Sequence, residues 1–336
     1  MGKEIKFCNV LGGNHIPENI KDCLMEQPAR SGMYNWIFVF NGEIKPYDIV
    51  KNNLEDYDVI QVNMAPSDQV IIPEIRRRLG NNSKTKLVIN NDYVCEYWEN
   101  WGQDPYYFDN IQRMGDMVFS TEPHQVSNMI EGAFVIPHPT NTKYLKQLGT
   151  AVESNSIGYI YHWWNPQTLL PWRLLEKVKK IHGIDKSAVY GHTHRPEDSY
   201  AKMKGYLFDK YVGLIPFPEY AQLIQGERAV YDPNGFHTYG RNGVELACWR
   251  VPVVGSNRVL SYNKLFPNLV CDPYDAHGAM DLFDKIFTQP DRMKKELDFA
   301  YDEVEWFNYE NSKKRFLDAL DIATKRGGHE WYQKRI

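Results

Sequence analysis

The chain has 336 residues, which is enough for two domains with separate hydrophobic cores. Hydrophobic residues make up 43% of it and aromatic residues 14%, and this composition excludes an intrinsically disordered protein. A formal charge of −4, with acidic and basic residues interspersed, argues against a broad nucleic-acid-binding surface. Five cysteines without a C-x-x-C pair indicate neither a disulfide framework nor a zinc ribbon. Because no apolar run approaches ~18 residues, we expect a cytoplasmic protein without a transmembrane segment.

Strands and helices alternate through the first half of the sequence. We predict strands at residues 5–11, 36–40, 59–62, 87–89, 117–119 and 134–136, and helices at residues 17–25, 47–54 and 71–79. This alternation predicts a mostly parallel sheet that binds its ligand at the carboxyl ends of the strands. Loops at residues 12–13, 66–68 and 91–92 are expected at that edge.

Two of these loops carry candidate functional residues. Gly12 and Gly13 allow a close approach of the backbone to an acceptor or a phosphate. Asp92 can orient an acceptor hydroxyl, or it can simply cap the turn after its strand. We therefore assign residues 1–148 to an N-terminal, acceptor-side domain.

A second domain is predicted at residues 149–305, joined to the first by a polar linker at 143–156. Its strands are expected at 157–161, 187–190 and 209–212, and its helices at 169–181, 220–225, 276–288 and 291–304. A last helix at 311–322 falls in a separate C-terminal segment, residues 306–336.

The most informative stretch of the sequence is residues 228–257. It reads as a strand at 229–231, a turn at 232–235, a Gly-rich loop at 239–243, a helix at 244–249 and a strand at 251–254. Backbone N–H groups at a helix N-terminus can bind a phosphate. Glu245, expected in the first helical turn, can instead accept hydrogen bonds from the two hydroxyls of a ribose. The stretch therefore predicts a nucleotide site.

This stretch resembles the donor-binding signature of GT-B glycosyltransferases, in particular the large retaining family. Gly240, Glu245 and Ala247 fit the pattern, as does the strand that contains Pro252. His237 stands where the family has a first glutamate, which contacts the transferred sugar. The turn before residue 220 resembles the family's base-binding turn. The donor-binding residues implied by the resemblance are Gly213, Pro216, His237, Tyr239, Gly240, Asn242, Gly243 and Glu245.

The resemblance also implies a fold and an activity. The fold is α/β, with two Rossmann-like domains that face each other across a cleft and a C-terminal helix that crosses back to the first domain. The activity is transfer of a sugar from a nucleotide-diphosphate sugar to an acceptor hydroxyl, with retention and without a metal or cofactor. The acceptor is unidentified and can be a glycan, a small molecule or a modified nucleobase, so nucleic acid enters only as an acceptor. The oligomeric state stays open.

One departure from the family concerns the cations that neutralise the donor diphosphate. The family places an arginine and a lysine after the first strand of the second domain, where this chain has residues 161–165, YHWWN. His162 and Arg241 can supply that charge, or they can be a packed histidine and a surface arginine. The predicted catalytic residues are Asp92, His162, Arg241 and Glu245.

Two other functions fit parts of the sequence. Loss of the first glutamate and of the cation pair is compatible with a catalytically weakened binding or partner protein of the same fold. Gly191-His192-Thr193-His194 matches the G-H-x-H metal motif of calcineurin-like phosphoesterases. That family, however, needs a D-x-H segment after its first strand, where this chain has Cys8-Asn9-Val10.

Overall fold

The structure is a computed structural model, and it describes residues 4–12, 28–65, 68–81, 83–91, 105–148, 154–161, 171–191, 209–213 and 215–334. The chain divides into two compact units. The first, the N-terminal unit, holds Arg30–Thr140 and Phe307–Ile336 together with the first strand, and the second, the C-terminal unit, holds Asn141–Trp306. No helix within the described ranges is both long and apolar enough to cross a lipid bilayer.

The N-terminal unit is built on a six-stranded parallel sheet of order β2-β1-β3-β4-β5-β6. Its strands are β1 (Phe7–Leu11), β2 (Glu43–Pro46), β3 (Val59–Asn63), β4 (Lys86–Asn91), β5 (Met117–Ser120) and β6 (Phe134–Val135). Its helices are α1 (Pro28–Phe40), α2 (Tyr47–Val50), α3 (Ile72–Leu79), α4 (Pro105–Gln112) and α5 (Pro123–Ser127), with short 3-10 turns at Leu54–Asp56 and Gln69–Ile71.

Two helices from the end of the chain complete this unit, α13 (Tyr309–Arg326) and α14 (His329–Gln333). Phe316 of α13 is fully buried, and its ring lies 4.9 Å from that of Trp36 and 5.1 Å from that of Phe40. These aromatic contacts bury one face of the sheet. They confirm the predicted return of a C-terminal helix to the first domain.

The predicted strand at 36–40 is wrong, because these residues form the last turns of α1. The run WIFVF is almost continuously apolar since it is buried against both the sheet and α13. A short apolar run of this kind does not distinguish a strand from a buried helix. The true second strand is Glu43–Pro46, a short edge strand whose polar sequence gives no strand signal.

The C-terminal unit contains a second parallel sheet, of order β12-β11-β10-β7-β8-β9. Its strands are β7 (Ser156–Tyr161), β8 (Lys186–Gly191), β9 (Lys210–Val212), β10 (Ala229–Asp232), β11 (Val253–Ser256) and β12 (Val270–Cys271). Its helices are α6 (Thr142–Gln147), α7 (Pro171–His182), α8 (Phe217–Gln225), α9 (Arg241–Trp249), α10 (Leu260–Leu265), α11 (Ala276–Thr288) and α12 (Pro290–Glu303).

Numbered from its own first strand, this sheet has the order 3-2-1-4-5-6 of dinucleotide-binding domains. The order reverses between β7 and β10, and ligands of such sheets bind at the carboxyl ends of the strands at that point. The predicted α/β fold with two Rossmann-like domains is therefore confirmed.

The predicted linker at 143–156 is wrong in part, because it begins inside α6 and ends on β7. Asn141 caps α6 through a hydrogen bond from Tyr144 N to Asn141 Oδ1 of 3.0 Å, and Leu145 is buried beneath the helix. A short helix with so few apolar residues gives no periodic signal in the sequence.

Candidate functional site

The turn after β10 lies at the switch point of the second sheet. The strand ends at Asp232, one residue later than the predicted end at 231, and the turn that follows is held by a hydrogen bond of 3.0 Å from Phe236 N to Asn234 Oδ1. Thr238 then forms an isolated bridge with Val259, before α9 begins at Arg241. The loop from Asp232 to Gly240 is thus held in place by the hydrogen bond within its turn and by the bridge at Thr238.

Asp232 is the buried centre of this loop, with 2% of its surface exposed. The hydroxyl of Tyr262 donates a hydrogen bond of 2.6 Å to its Oδ2, and Asn242 Nδ2 lies 3.4 Å from the same oxygen. Burial, together with the neighbouring Asp232 carboxylate, raises the pKa of Tyr262 well above its usual value, so the phenol stays a donor. Asn242 is among the residues predicted from the sequence, whereas Asp232 and Tyr262 are not.

The N-terminus of α9 needs glycine for two separate reasons. Gly240 caps the helix with a φ of 73°, in the left-handed region, and a Cβ there would overlap Val259 Cγ1. Gly243 faces α10, where a Cβ would overlap Ser261 Oγ. These contacts explain both glycines by the close approach of α10. Gly243 N donates a hydrogen bond of 3.1 Å to the Gly240 carbonyl, and N–H groups at a helix N-terminus are in general suited to bind anions.

Glu245 lies in the second turn of α9, because the helix starts three residues earlier than the predicted start at 244. Its side chain is only 2% exposed and forms an ion pair with Arg241 Nε. Helical side chains tilt toward the N-terminus, so Glu245 reaches back to the residue one turn before it. Burial raises the pKa of Glu245, and the Arg241 guanidinium opposes that shift.

Arg241 also approaches a second helix N-terminus. Its guanidinium carbon lies 5.1 Å from the centre of the Phe217 ring, the first residue of α8. Pro216 caps α8 and is exposed. Gly213 is half-buried beyond the end of β9, and a Cβ added to it would make only ordinary contacts, with Tyr211. The structure thus brings Arg241 beside the predicted base-binding turn.

The other predicted donor residues lie on the same loop. Tyr239 is 5% exposed, and its carbonyl accepts a hydrogen bond of 3.0 Å from Ser261 N. His237 is half-buried in the middle of the loop. The predicted residues Gly13, Asp92, His162, His192 and His194 lie outside the described part of the chain.

The carboxyl edge of the first sheet brings two of the predicted loops together. Gly12 N donates a hydrogen bond of 3.0 Å to Asp68 Oδ1. A carboxylate beside this backbone amide disfavours a phosphate there, and it suits a hydroxyl better. The expected contact of the Gly12 loop with an acceptor therefore fits its chemistry better than a contact with a phosphate.

A cluster of buried amides lies just behind this edge, and the sequence analysis missed it. Asn9 pairs in register with Gln61, and Asn63 with Asn90, and all four side chains are at most 1% exposed. Asn63 Oδ1 accepts hydrogen bonds from Asn90 Nδ2 (2.8 Å) and Gln61 Nε2 (3.3 Å). Asn63 Nδ2, Gln61 Oε1 and Asn90 Oδ1 have no hydrogen-bond partner among the residues that the structure describes. The sequence does carry a signal for this cluster, because amide side chains stand at inward positions of parallel strands, where Val and Ile are usual.

A metal site would need several ligating side chains close together. No group of three or more His, Cys, Asp or Glu side chains that could hold a metal ion occurs among the described residues. His192 and His194 of the G-H-x-H segment after β8 are not among those residues.

No protein-family model matches the sequence, and no curated protein matches it. Solved structures do match. HepE of Anabaena in complex with UDP is 12% identical with a TM-score of 0.63, over 95% of this chain and 100% of that one. The trehalose-6-phosphate synthase OtsA is 15% identical with a TM-score of 0.63, over 82% of this chain and 74% of that one.

TarM is 14% identical, with a TM-score of 0.59 over 82% of this chain, and the match spans only 57% of the length of TarM. These proteins are GT-B glycosyltransferases. The likeness extends over both units, each with its own parallel sheet. This chain therefore has the GT-B fold.

Proposed function

We propose that this protein is a glycosyltransferase that binds a nucleotide-diphosphate sugar at the loop between β10 and α9. The observation that carries the proposal is the combination of a left-handed glycine cap at Gly240 with a carboxylate one turn into the same helix, Glu245, at the switch point of a 3-2-1-4-5-6 sheet. Helix amides suit the diphosphate and the carboxylate suits the ribose hydroxyls. HepE, of the same fold, has been crystallised with UDP and with UDP-glucose.

The reaction requires the protein to stabilise a leaving group and to position a nucleophile. The bond between the anomeric carbon and the diphosphate breaks, and a bond from that carbon to the acceptor oxygen forms. The acceptor proton leaves with the nucleoside diphosphate or to solvent. The N-terminus of α9 and the Arg241 guanidinium favour the negative charge that develops on the departing phosphate. His162 and Asp92 keep their proposed roles as a second phosphate contact and an acceptor-orienting group.

On the acceptor side, we assign the carboxyl edge of the first sheet, where Gly12, Asp68 and the buried amides of Asn63 and Asn90 lie. Amide groups both donate and accept hydrogen bonds, as hydroxyls do. This chemistry supports a neutral hydroxyl-bearing acceptor, with a sugar or a hydroxylated nucleobase as examples.

Retention of the anomeric configuration and transfer of a hexose or pentose are part of the proposal. They rest on the resemblance of the β10–α9 stretch to the retaining family. One of the similar solved structures, of a trehalose-6-phosphate synthase, concerns glycosyl transfer with retention. Incubation with a donor that binds, followed by proton NMR of the anomeric position of the product, distinguishes retention from inversion.

A thermal-shift screen tests the donor site. The wild type and Glu245→Ala are heated with UDP, GDP, ADP, CMP and dTDP, and with Mn²⁺ alone as a separate arm. A ligand that saturates a site at 100 times its Kd stabilises the folded protein by about 2.7 kcal/mol. We expect a rise in Tm with one diphosphate that Glu245→Ala abolishes.

Other outcomes contradict the proposal. Absence of any nucleotide response, with stabilisation by Mn²⁺ that His192→Ala removes, favours the phosphoesterase. A nucleotide response without any donor turnover favours the catalytically weakened binding protein. A response that Glu245→Ala leaves intact places the nucleotide elsewhere.

A further inference from the structure

The Glu245 carboxylate is closed to a ligand in this structure. Only 2% of its side chain is exposed, and the Arg241 guanidinium occupies it through an ion pair. A ribose hydroxyl that binds Glu245 Oε1 competes with the guanidinium, because Arg241 Nε already pairs with that oxygen of the buried carboxylate. The structure therefore shows the donor site in a state that excludes the ribose.

Arg241 has a second environment available to its side chain, away from Glu245. It is the first residue of α9, and 22% of its side chain is exposed. Its guanidinium carbon already lies 5.1 Å from the centre of the ring of Phe217, the first residue of α8. Anionic ligands bind at helix N-termini, and a guanidinium matches the oxygens of a phosphate in a bidentate manner. A short rotation of the side chain away from Glu245 thus brings it toward the place where a diphosphate is expected.

We propose that donor binding exchanges the partner of Arg241, which leaves Glu245 for the diphosphate while the ribose hydroxyls take its place on the carboxylate. The inference rests on the proposed donor site. Arg241 is then a specificity-determining residue, since it makes recognition of the ribose conditional on the presence of a diphosphate.

Recognition of the ribose depends on the diphosphate because Glu245 is buried. A nucleoside that displaces Arg241 gives the guanidinium no new anion, so the ion pair is lost without replacement. A diphosphate alone that draws Arg241 away leaves a buried carboxylate without a counterion, which is unfavourable. Only a ligand that carries both groups satisfies the arginine and the carboxylate together. The site therefore discriminates against free nucleosides.

Titration calorimetry on the full chain tests the exchange. The ligands are uridine and UDP, with guanosine and GDP, and adenosine and ADP, as parallel pairs. The variants are Arg241→Ala, which opens the carboxylate, and Arg241→Lys, which keeps a cation at this position. Arg250→Gln is the matched control, because Arg250 lies at the other end of α9 and pairs with Asp298.

In Arg241→Ala, we expect the affinity for a nucleoside and the affinity for its diphosphate to change in opposite directions. Arg241→Ala binds the nucleoside more tightly than the wild type, by about 5-fold, because no guanidinium has to be displaced. The same variant binds the diphosphate more weakly, by about 10-fold or more, since it lacks the phosphate contact. Arg241→Lys keeps the preference of the wild type for the diphosphate, and Arg250→Gln changes neither affinity.

The results that overturn the inference differ from those that overturn the donor site. If the wild type binds UDP, GDP or ADP but Arg241→Ala weakens the nucleoside and the diphosphate by the same factor, the exchange is wrong and the donor site stands. If the wild type binds none of the diphosphates, the proposed function fails and the exchange fails with it.

Discussion

The carboxyl edges of the two sheets differ in the charge of their side chains. In the C-terminal unit this edge carries buried ionisable groups, the Arg241–Glu245 ion pair and Asp232 with its Tyr262 donor. In the described part of the N-terminal unit, the corresponding groups are mainly the amides behind β3 and β4, and Asp68 is held by Gly12 N. The charged groups in the C-terminal unit are those that an anionic ligand would need, with Arg241 as the cation. The amides in the N-terminal unit are those that neutral hydroxyl groups would need.

The comparison suggests why one fold uses two kinds of polar group. A departing diphosphate changes its charge during the proposed reaction, and fixed dipoles with a guanidinium stabilise that change. An acceptor hydroxyl stays neutral until it is attached, so amides can position it without a nearby charge. The N-terminal unit instead has a buried ion pair at the opposite, amino edge of its sheet, where no ligand is expected.

Replacing that distant ion pair should have the largest effect on stability. Asp116 precedes β5, and its Oδ2 accepts hydrogen bonds of 2.8 Å from both Arg76 Nη2 and Leu87 N, while His329 Nδ1 lies 3.2 Å from its Oδ1. Removal of one partner of a buried ion pair costs about 3 kcal/mol or more. We expect Asp116→Asn to lower the free energy of unfolding by that amount at pH 7, as measured by urea denaturation.

The pH dependence of this loss has a definite sign. Burial alone raises the pKa of Asp116, but His329 and Arg76 outweigh it and hold the pKa well below its usual value. The contribution is therefore fully present above the unfolded pKa of about 3.9, and it is lost as the pH falls toward the lower folded pKa. Asp48→Asn, at an exposed pair with Lys51, is the control and should cost less than about 1 kcal/mol at any pH. An equal loss for both variants contradicts the prediction.

Gly240→Ala should have the next largest effect, and it acts on the charged edge. The left-handed φ costs about 1–2 kcal/mol for any residue with a Cβ, and the contact with Val259 adds to that cost. Gly183 is the matched control in the same unit, because its φ is 64° and nothing lies within 4 Å of the Cβ that alanine would add. We expect Gly240→Ala to unfold at clearly lower urea than Gly183→Ala and to lose nucleotide binding, which Gly183→Ala keeps. Equal midpoints would show that α10 yields to the added methyl group.

Local sequence signals predicted the parts of the site that depend on local conformation. The turn residues 232–235 place the end of β10 to within one residue, and Gly240 and Glu245 follow from a pattern within one strand, loop and helix. The start of α9 was placed too late, because Arg241-Asn242-Gly243 looks like a loop until α10 packs against it. With the helix lengthened, Arg241 and Glu245 become neighbours one turn apart.

Contacts between distant residues could not be predicted in the same way. Tyr262 lies 30 positions after Asp232, and no pattern links the two until the sheet is formed. The strand predicted at 36–40 is wrong for the same reason, since Trp36 and Phe40 are buried by contacts to the sheet and to the distant α13. The buried amides were visible in the sequence, but their pairing depends on the register of β1, β3 and β4.

At the neutral edge, two substitutions should differ in sign, and Gln61→Leu should have the smallest effect of all. Within the described ranges, Gln61 donates one long hydrogen bond and its Oε1 has no partner, so Gln61→Leu removes an unsatisfied buried group. We expect this variant to be as stable as the wild type or more stable, by up to about 1 kcal/mol. Asn63→Leu removes the oxygen that accepts from both Gln61 and Asn90, and it should lower the free energy of unfolding by about 1–3 kcal/mol. Urea denaturation of both variants measures the difference. If Gln61→Leu is as destabilising as Asn63→Leu, its Oε1 is already hydrogen-bonded in solution, and the amides form a closed structural network instead of offering free groups to a hydroxyl acceptor.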